Sequence, residues 1–254
     1  MSTSTLILHR GAREVNREEL AAVQIPPATS TWFPLGHAQV LDTSEQALSN
    51  AGFKVHRTRL ALTRNNARFF GTLDLEAPIA SGITLAVGIR NSIDKSLPIA
   101  FCAGSRVFIC DNLAFNSEIV IARKHTRFGQ TRFHEAISRA VQHLHQYRET
   151  EAARVRRWQY TELPADTADA LLLRAYEQQI ITAPLLPRVI REWRHPSFEE
   201  FQSRTLWSLF NAFTTVLAER QRTNPQQFAA MTLRLHGLLS RENSSTETPS
   251  AVAA

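Results

Sequence analysis

From Phe53 to Arg123 the apolar residues keep a period of two, and from Gly129 onward they keep a period of 3.6. That single switch limits the fold to a block of strands followed by a block of helices. Residues 53–62 and 67–75 alternate, and Asn65-Asn66 between them suits a hairpin turn. Further strands are predicted at 83–90, 99–103, 106–110 and 118–123, with Gly104 splitting the fourth from the fifth. Strands in succession with short turns imply an antiparallel or mixed sheet of about five to six strands.

Phe133, Ile137, Val141 and Leu144 lie on one face of a helix predicted over 130–158. Arg148 and Glu151 intrude on that face, so a kink or break is expected near them. If the helix is continuous, Arg132, Arg139, His143, Arg154 and Arg157 share its opposite face. Earlier in the chain, Arg13–Val23 reads as a short helix or arm, closed by Pro26-Pro27, and Thr43–Gly52 as a helix. Thr43 or Ser44 would cap it, and Gly52 suits the left-handed position that ends it. After Pro164 everything reads helical: a helix from an Asp166 or Thr167 cap through Ile181, a linker at Pro184–Pro187, and a capping box at Ser197–Glu200. A stripe at Leu206, Leu209, Phe210, Phe213 and Leu217 and a last helix beyond Asn224-Pro225 complete the series. The fold class is therefore α+β. Its parts are an arm at 1–30, an α+β core at 31–160, a helical region at 161–240 packed on that core, and a disordered Ser/Thr/Ala-rich tail at 241–254.

A hydrophobic share of 43% suffices for a core. No run of about 18 apolar residues exists, so no membrane partner is expected. The N-terminus has no basic region before its short apolar run, and two cysteines are too few for a disulfide framework; both point to the cytoplasm.

The chain has 29 basic and 23 acidic residues, a net +6. Residues 119–160 hold nine of the basic and three of the acidic ones, which is the entire surplus. Arginine outnumbers lysine 26 to 3. Guanidinium forks match phosphate oxygens, although a GC-rich genome gives the same ratio. The clustering makes Arg123, Lys124, Arg127, Arg132 and Arg139 candidate phosphate contacts, with Phe128, Trp158 and Tyr160 interleaved as stacking groups. The plain alternative is a solvated face over core aromatics.

Two polar clusters follow strands. Arg90-Asn-Ser-Ile-Asp-Lys-Ser96 holds Arg90 and Lys95, which could join the phosphate-binding face, and Asn91, Ser92 and Asp94. Ordinary turn chemistry explains it equally. Cys110, Asp111 and Asn112 form the second; a buried cysteine before a capped turn is the competing account.

The segments Ile89–Ser96, Arg106–Leu113 and Arg123-Lys-His-Thr126 resemble the signatures of the phage/plasmid-like family of unknown function numbered 932. Gly52-Phe-Lys-Val with Arg68-Phe-Phe-Gly71, and Thr205–Thr214, are similar too. The resemblance covers roughly residues 30–240 and implies mobile-element biology; it carries no catalytic residues.

No Walker A loop, dinucleotide fingerprint, HExxH or CxxC pair is present, and Cys102, Cys110, His125 and His134 lack zinc-site spacing. No metal or other cofactor is expected. Glu118 is followed by Ile-Val-Ile-Ala, without the lysine of a restriction-type nuclease. His143-Leu-His145 beside Tyr147 has the composition of a nickase site, but on a helix the two histidines diverge. The expectation is a cytoplasmic protein that binds nucleic acid, DNA first, as a mobile-element accessory. No protein partner is assigned, and a homo-oligomer is compatible. The rivals are an enzyme joining Asn91, Asp94, Cys110, Asp111 and Asn112, and a protein-interaction factor of host-defence conflict.

Overall fold

The computed structural model describes residues 12–107, 112–114, 120–223 and 225–245. Their fold is α+β. Seven strands form one antiparallel sheet: β1 (Arg13–Val15), β2 (Val55–Leu62), β3 (Arg68–Ala80), β4 (Ile83–Ser92), β5 (Ile99–Val107), β6 (Asn112–Ala114) and β7 (Val120–Arg123). The order is β1-β2-β3-β4-β5-β6. Strand β7 lies beside β6 on the same outer edge of β5, opposite Ile99–Cys102, while β6 faces Ser105–Val107.

Both faces of β4 are covered, and alternation decides which of them takes the large apolar side chains. Ile83, Leu85, Val87 and Ile89 are all buried, and Leu73 and Phe101 stand beside them in register. Each fully buried aliphatic side chain contributes about 1.5–3 kcal/mol. The other positions of β4 are Thr84, Ala86, Gly88, Arg90 and Ser92, which are small or polar.

Helices α1 (Arg17–Ala21) and α2 (His37–Asn50) precede the sheet. After it come α3 (Gly129–Gln142), α4 (Leu144–Tyr160), α5 (Ala165–Glu177), α6 (Leu186–Arg194), α7 (Leu206–Thr223) and α8 (Pro225–Ser245). Buried Phe133, Ala136, Ile137, Ala140 and Val141 give α3 its inner stripe. One hydrophobic cluster runs from the sheet through α2–α4 to α7 and α8.

Several expectations fail locally, each for a tertiary reason. Arg13–Val15 is a strand, because it pairs with Leu60–Leu62; only Arg17–Ala21 is helical. Helix α2 starts at His37, and the hydroxyls of Thr43 and Ser44 bond backwards to the Gln39 and Val40 carbonyls instead of capping. Gly104 does not divide two strands. It faces Ala86 inside β5, which β4 holds continuously from Ala100 to Val107, while on the outer edge it falls between the stretches paired with β7 and β6. The 130–158 helix breaks at His143 and not near Glu151. There His145 bonds the Ala51 carbonyl at 3.0 Å and stacks on Phe53 at 4.3 Å, which ties the start of α4 to the end of α2. Buried Glu151 is accommodated by Arg154, which also donates to His236 Nε2 at 3.0 Å. Ser197 makes no capping box, since its hydroxyl and amide both bond Glu192. Helix α5 starts after Pro164 and ends at Glu177.

Candidate functional site

Residues 23–36 form neither helix nor strand, as Pro26-Pro27 demands, and they run as a strap from α1 to α2. Phe33 N donates to the His125 carbonyl at 3.1 Å, and Leu35 N donates to His125 Nδ1 at 3.2 Å. The Leu35 carbonyl accepts from Asn91 Nδ2 at 2.8 Å. The strap is thus fastened to the end of β4 and to the loop after β7.

These bonds fix the protonation of both rings. His37 Nε2 lies 3.0 Å from the Asn66 carbonyl, an acceptor, so Nε2 carries the hydrogen. Nδ1 then accepts from Asn91 Nδ2 at 3.0 Å. His125 Nδ1 accepts from Leu35, so the neutral ring carries its hydrogen on Nε2. Burial pushes the pKa of both histidines below the ordinary imidazole range. For His37 the Asn66 carbonyl opposes that shift, His125 adds to it and Asp94 opposes it.

The network is left incomplete. Asn91 spends both amide hydrogens on Leu35 and His37, and its Oδ1 is buried without a partner. Trp32 Nε1, Asn66 Oδ1 and His125 Nε2 are buried without a partner as well. All four residues belong to one connected chain: Asn66, His37, Asn91, Leu35, His125 and Trp32, whose ring centroid is 6.3 Å from that of His125. A buried polar atom without a partner costs about 1–3 kcal/mol. Buried groups of this kind are met by ordered water, an ion or a ligand.

The Arg90–Ser96 motif divides between the two faces of the sheet. Asn91 is in the network. Ser92 staples the following turn, donating to the Leu97 carbonyl at 2.8 Å and accepting from Leu97 N at 2.9 Å. Burial acts to raise the Asp94 carboxyl, but bonds from Ser96, and then Arg68 at 3.3 Å, hold it below the usual range. Lys95, at a φ of 65°, places Nζ 5.1 Å from the Trp32 ring centre. Arg90 alternates away from Asn91, onto the opposite sheet face; its Nε has no partner and burial lowers its pKa. Asn112 is not brought to this end of the sheet. It pairs with Val107, which lies opposite Ile83, eight residues along β4 from Asn91 or roughly 26 Å. Cys110 and Asp111 lie outside the described residues.

The basic cluster flanks the network. Lys124 and Arg127 are exposed on either side of His125-Thr126, and Arg132 and Arg139 are exposed on α3. Half-buried Arg123 donates to the Ala122 carbonyl at 2.9 Å, and Arg139 to the Glu135 carbonyl at 3.3 Å. The Arg132 guanidinium sits 5.9 Å from the ring centre of Phe128, which is 60% exposed. Trp158, by contrast, is core. Arg154 turns inward to Glu151 and His236, so it does not extend the α3 surface. Trp32, His37 and Asn66 escape the sequence reading. Asn66 is visible only as a turn residue, and nothing local distinguishes the other two; His125 is signalled only by its place in Arg123-Lys-His-Thr126.

Among the described residues no group of three or more His, Cys, Asp or Glu is placed to hold a metal ion. Among them, too, no helix is long and apolar enough to cross a membrane. The architecture defines an antiparallel α+β protein with a polar network at one end of its sheet and a basic helix start beside it. Residues 29–239, which include every member of the network, match the family described as Domain of unknown function (DUF932), and the chain belongs to that family. No curated protein and no solved structure matches it.

Proposed function

We propose that this chain is a cytoplasmic accessory protein of a phage or plasmid that binds nucleic acid, DNA first. The binding surface is the loop after β7 and the exposed side of α3. The observation that carries this reading is a run of cations from the end of β7 into α3, close together in the chain and without carboxylate partners among the described residues; Lys54, Arg64, Arg148, Arg156 and Arg191 also lack such partners but stand outside that run. Arg13, Arg17, Arg57, Arg68, Arg154 and Arg194 each pair with a carboxylate. Lys95, Arg123, Lys124, Arg127, Arg132 and Arg139 have no such pair among the described residues. Cations without local counter-charges are the ones free to neutralise phosphates and release counterions.

The start of α3 supports the same reading. Its N-cap, Phe128, offers no side-chain cap, and its first turn holds no acidic residue. The helix dipole there favours an anion. Phe128 supplies an exposed ring on which a base can stack, next to Arg132.

The test is binding of labelled single- and double-stranded DNA across a salt series, beside the variant Arg127→Ala, Arg132→Ala, Arg139→Ala. Sub-micromolar affinity that falls steeply with salt and collapses in the variant is the expected result. Absence of binding to either form at low salt defeats the reading.

A further inference from the structure

We propose that this surface takes a single strand in preference to a duplex, and that Phe128 decides the choice by stacking on an unpaired base; this rests on the nucleic-acid reading above. Phe128 does neither of the jobs that the fold offers at its position. It is the N-cap of α3, where Ser, Thr, Asp or Asn ordinarily lends an oxygen to the first turn, and its side chain makes no cap bond. Nor does it serve the core. It is 60% exposed, the only exposed phenylalanine among the described residues, whereas Phe133, five residues on, is fully buried. A lone exposed ring needs no explanation, but the setting of this one supplies it. The Arg132 guanidinium sits 5.9 Å from the ring centre, and Arg127 directly precedes it. Gly129 is buried, and a Cβ there would meet the Lys124 carbonyl at 3.2 Å, so α3 starts hard against the loop that carries Lys124. Trp32, whose ring centre is 6.3 Å from that of His125 in the same loop, holds Lys95 near it.

A ring among cations discriminates between forms of nucleic acid. In a duplex each base is paired and covered by its neighbours, so a ring on a protein surface meets sugar and phosphate. A single strand turns base faces outward, and an aromatic ring accepts any of them. The cations then hold the phosphates beside the stacked base. Charge alone ranks the two ligands the other way, because a duplex brings a second strand of phosphates. A preference for the single strand therefore reports the ring. Phe128, Lys124, Arg127 and Arg132 are all exposed, so no buried group has to be uncovered for binding.

The experiment measures the affinity of the full chain, Phe128→Leu, Phe128→Tyr and Arg127→Ala for a mixed-sequence single-stranded oligonucleotide and for its duplex. The full chain should bind the single strand more tightly than the duplex. Phe128→Leu keeps an apolar side chain and removes the ring, and at an exposed position its melting temperature should match that of the parent. It should lose about tenfold on the single strand, the effect of one stacked base, and nothing on the duplex. Phe128→Tyr restores the ring and should restore the affinity. Arg127→Ala should weaken both ligands. A full chain that binds the duplex as tightly as the single strand, or more so, overturns the proposal and leaves the phosphate surface standing. So does a single-strand affinity undiminished in Phe128→Leu, or a Phe128→Tyr variant as weak as Phe128→Leu. Binding of neither ligand defeats the proposed function itself.

Discussion

The Asn91 amide nitrogen lies 3.0 Å from His37 Nδ1 and 2.8 Å from the Leu35 carbonyl, so one side chain at the end of β4 holds both the strap and the first residue of α2. Asn91→Ala removes both bonds and leaves two buried acceptors unsatisfied. We expect a loss of about 2–4 kcal/mol, read as a lowered urea midpoint with an unchanged slope. Asn91→Asp is the sharper variant. A carboxylate cannot donate to the Leu35 carbonyl, yet beside His37 Nδ1 it favours the imidazolium. The His37 titration, followed by NMR, should move upward in Asn91→Asp. No upward movement would show that this contact does not set the state of the ring.

Acid should loosen the strap. Burial holds His37 and His125 neutral, with folded pKa values below the ordinary 6.5. Above 6.5 both folded and unfolded chains carry neutral rings, and the full stability is present. As pH falls through 6.5 the unfolded chain takes up protons first, so stability declines until pH reaches the depressed folded values. The slope in that window is at most about 1.4 kcal/mol per pH unit for each ring. A protonated His125 Nδ1 no longer accepts from Leu35 N, which is why the loss should appear first in the strap. Urea midpoints at pH 7.5, 6.5 and 5.5 measure it, and His125→Gln, which keeps an acceptor for Leu35, should flatten the profile. Identical midpoints at the three pH values would contradict the neutral-ring assignment.

Local rules made the sheet legible. Asn66 has the left-handed φ of 55° that its hairpin position suggests, and Gly52 has a φ of 82° at the end of α2. The alternation from Ile83 to Ile89 is the large apolar face of β4, although the small and polar face opposite is covered too. What escaped was decided by distant partners. Arg13–Val15 becomes a strand only because Leu60–Leu62 offers an edge, and the break at His143 depends on Ala51 and Phe53. The site shows the same limit. Asn91, Lys95 and Lys124 stand out in charged motifs, whereas His37 and Trp32 gain meaning only when the start of α2 and the strap bring them to Asn91 and His125, 54 and 93 residues away in sequence. No periodicity encodes such a meeting.

Cys102 should be a slow thiol. Its sulfur lies 3.7 Å from the Gly88 carbonyl, and although the residue keeps some exposed surface, burial of the thiol pushes its pKa up to about 12, against the pull of Arg90. Alkylation requires the thiolate, whose population at pH 8 is then on the order of a thousandfold below that of an ordinary cysteine. Peptide-level mass spectrometry after timed iodoacetamide labelling would read this in the native protein. Arg90→Ala should slow Cys102 further by removing the nearby positive charge, provided it does not open the site to solvent, which a hydrogen-exchange measurement on β4 and β5 would detect. Labelling of native Cys102 as fast as a free thiol would place the sulfur in solvent.

Arg127 and Arg154 separate two kinds of cation that the sequence presents as one cluster. Arg127 is exposed, with no carboxylate partner among the described residues, whereas Arg154 faces buried Glu151 and sits 3.0 Å from His236 Nε2. Arg127→Ala should reduce the slope of log affinity against log salt by about 0.7 for single-stranded DNA and leave the urea midpoint unchanged. Arg154→Ala should do the opposite. It leaves the Glu151 carboxylate buried with less compensation, and although breaking a buried pair costs about 3–5 kcal/mol, the remaining His236 contact at 3.5 Å reduces the expected loss to about 2 kcal/mol. Its salt slope should match that of the parent chain. If both variants lower the slope equally, Arg154 reaches phosphate despite its ion pair, and the binding surface extends past the break at His143 along α4. If only Arg154→Ala lowers it, the surface lies on α4 and the start of α3 is not the phosphate contact.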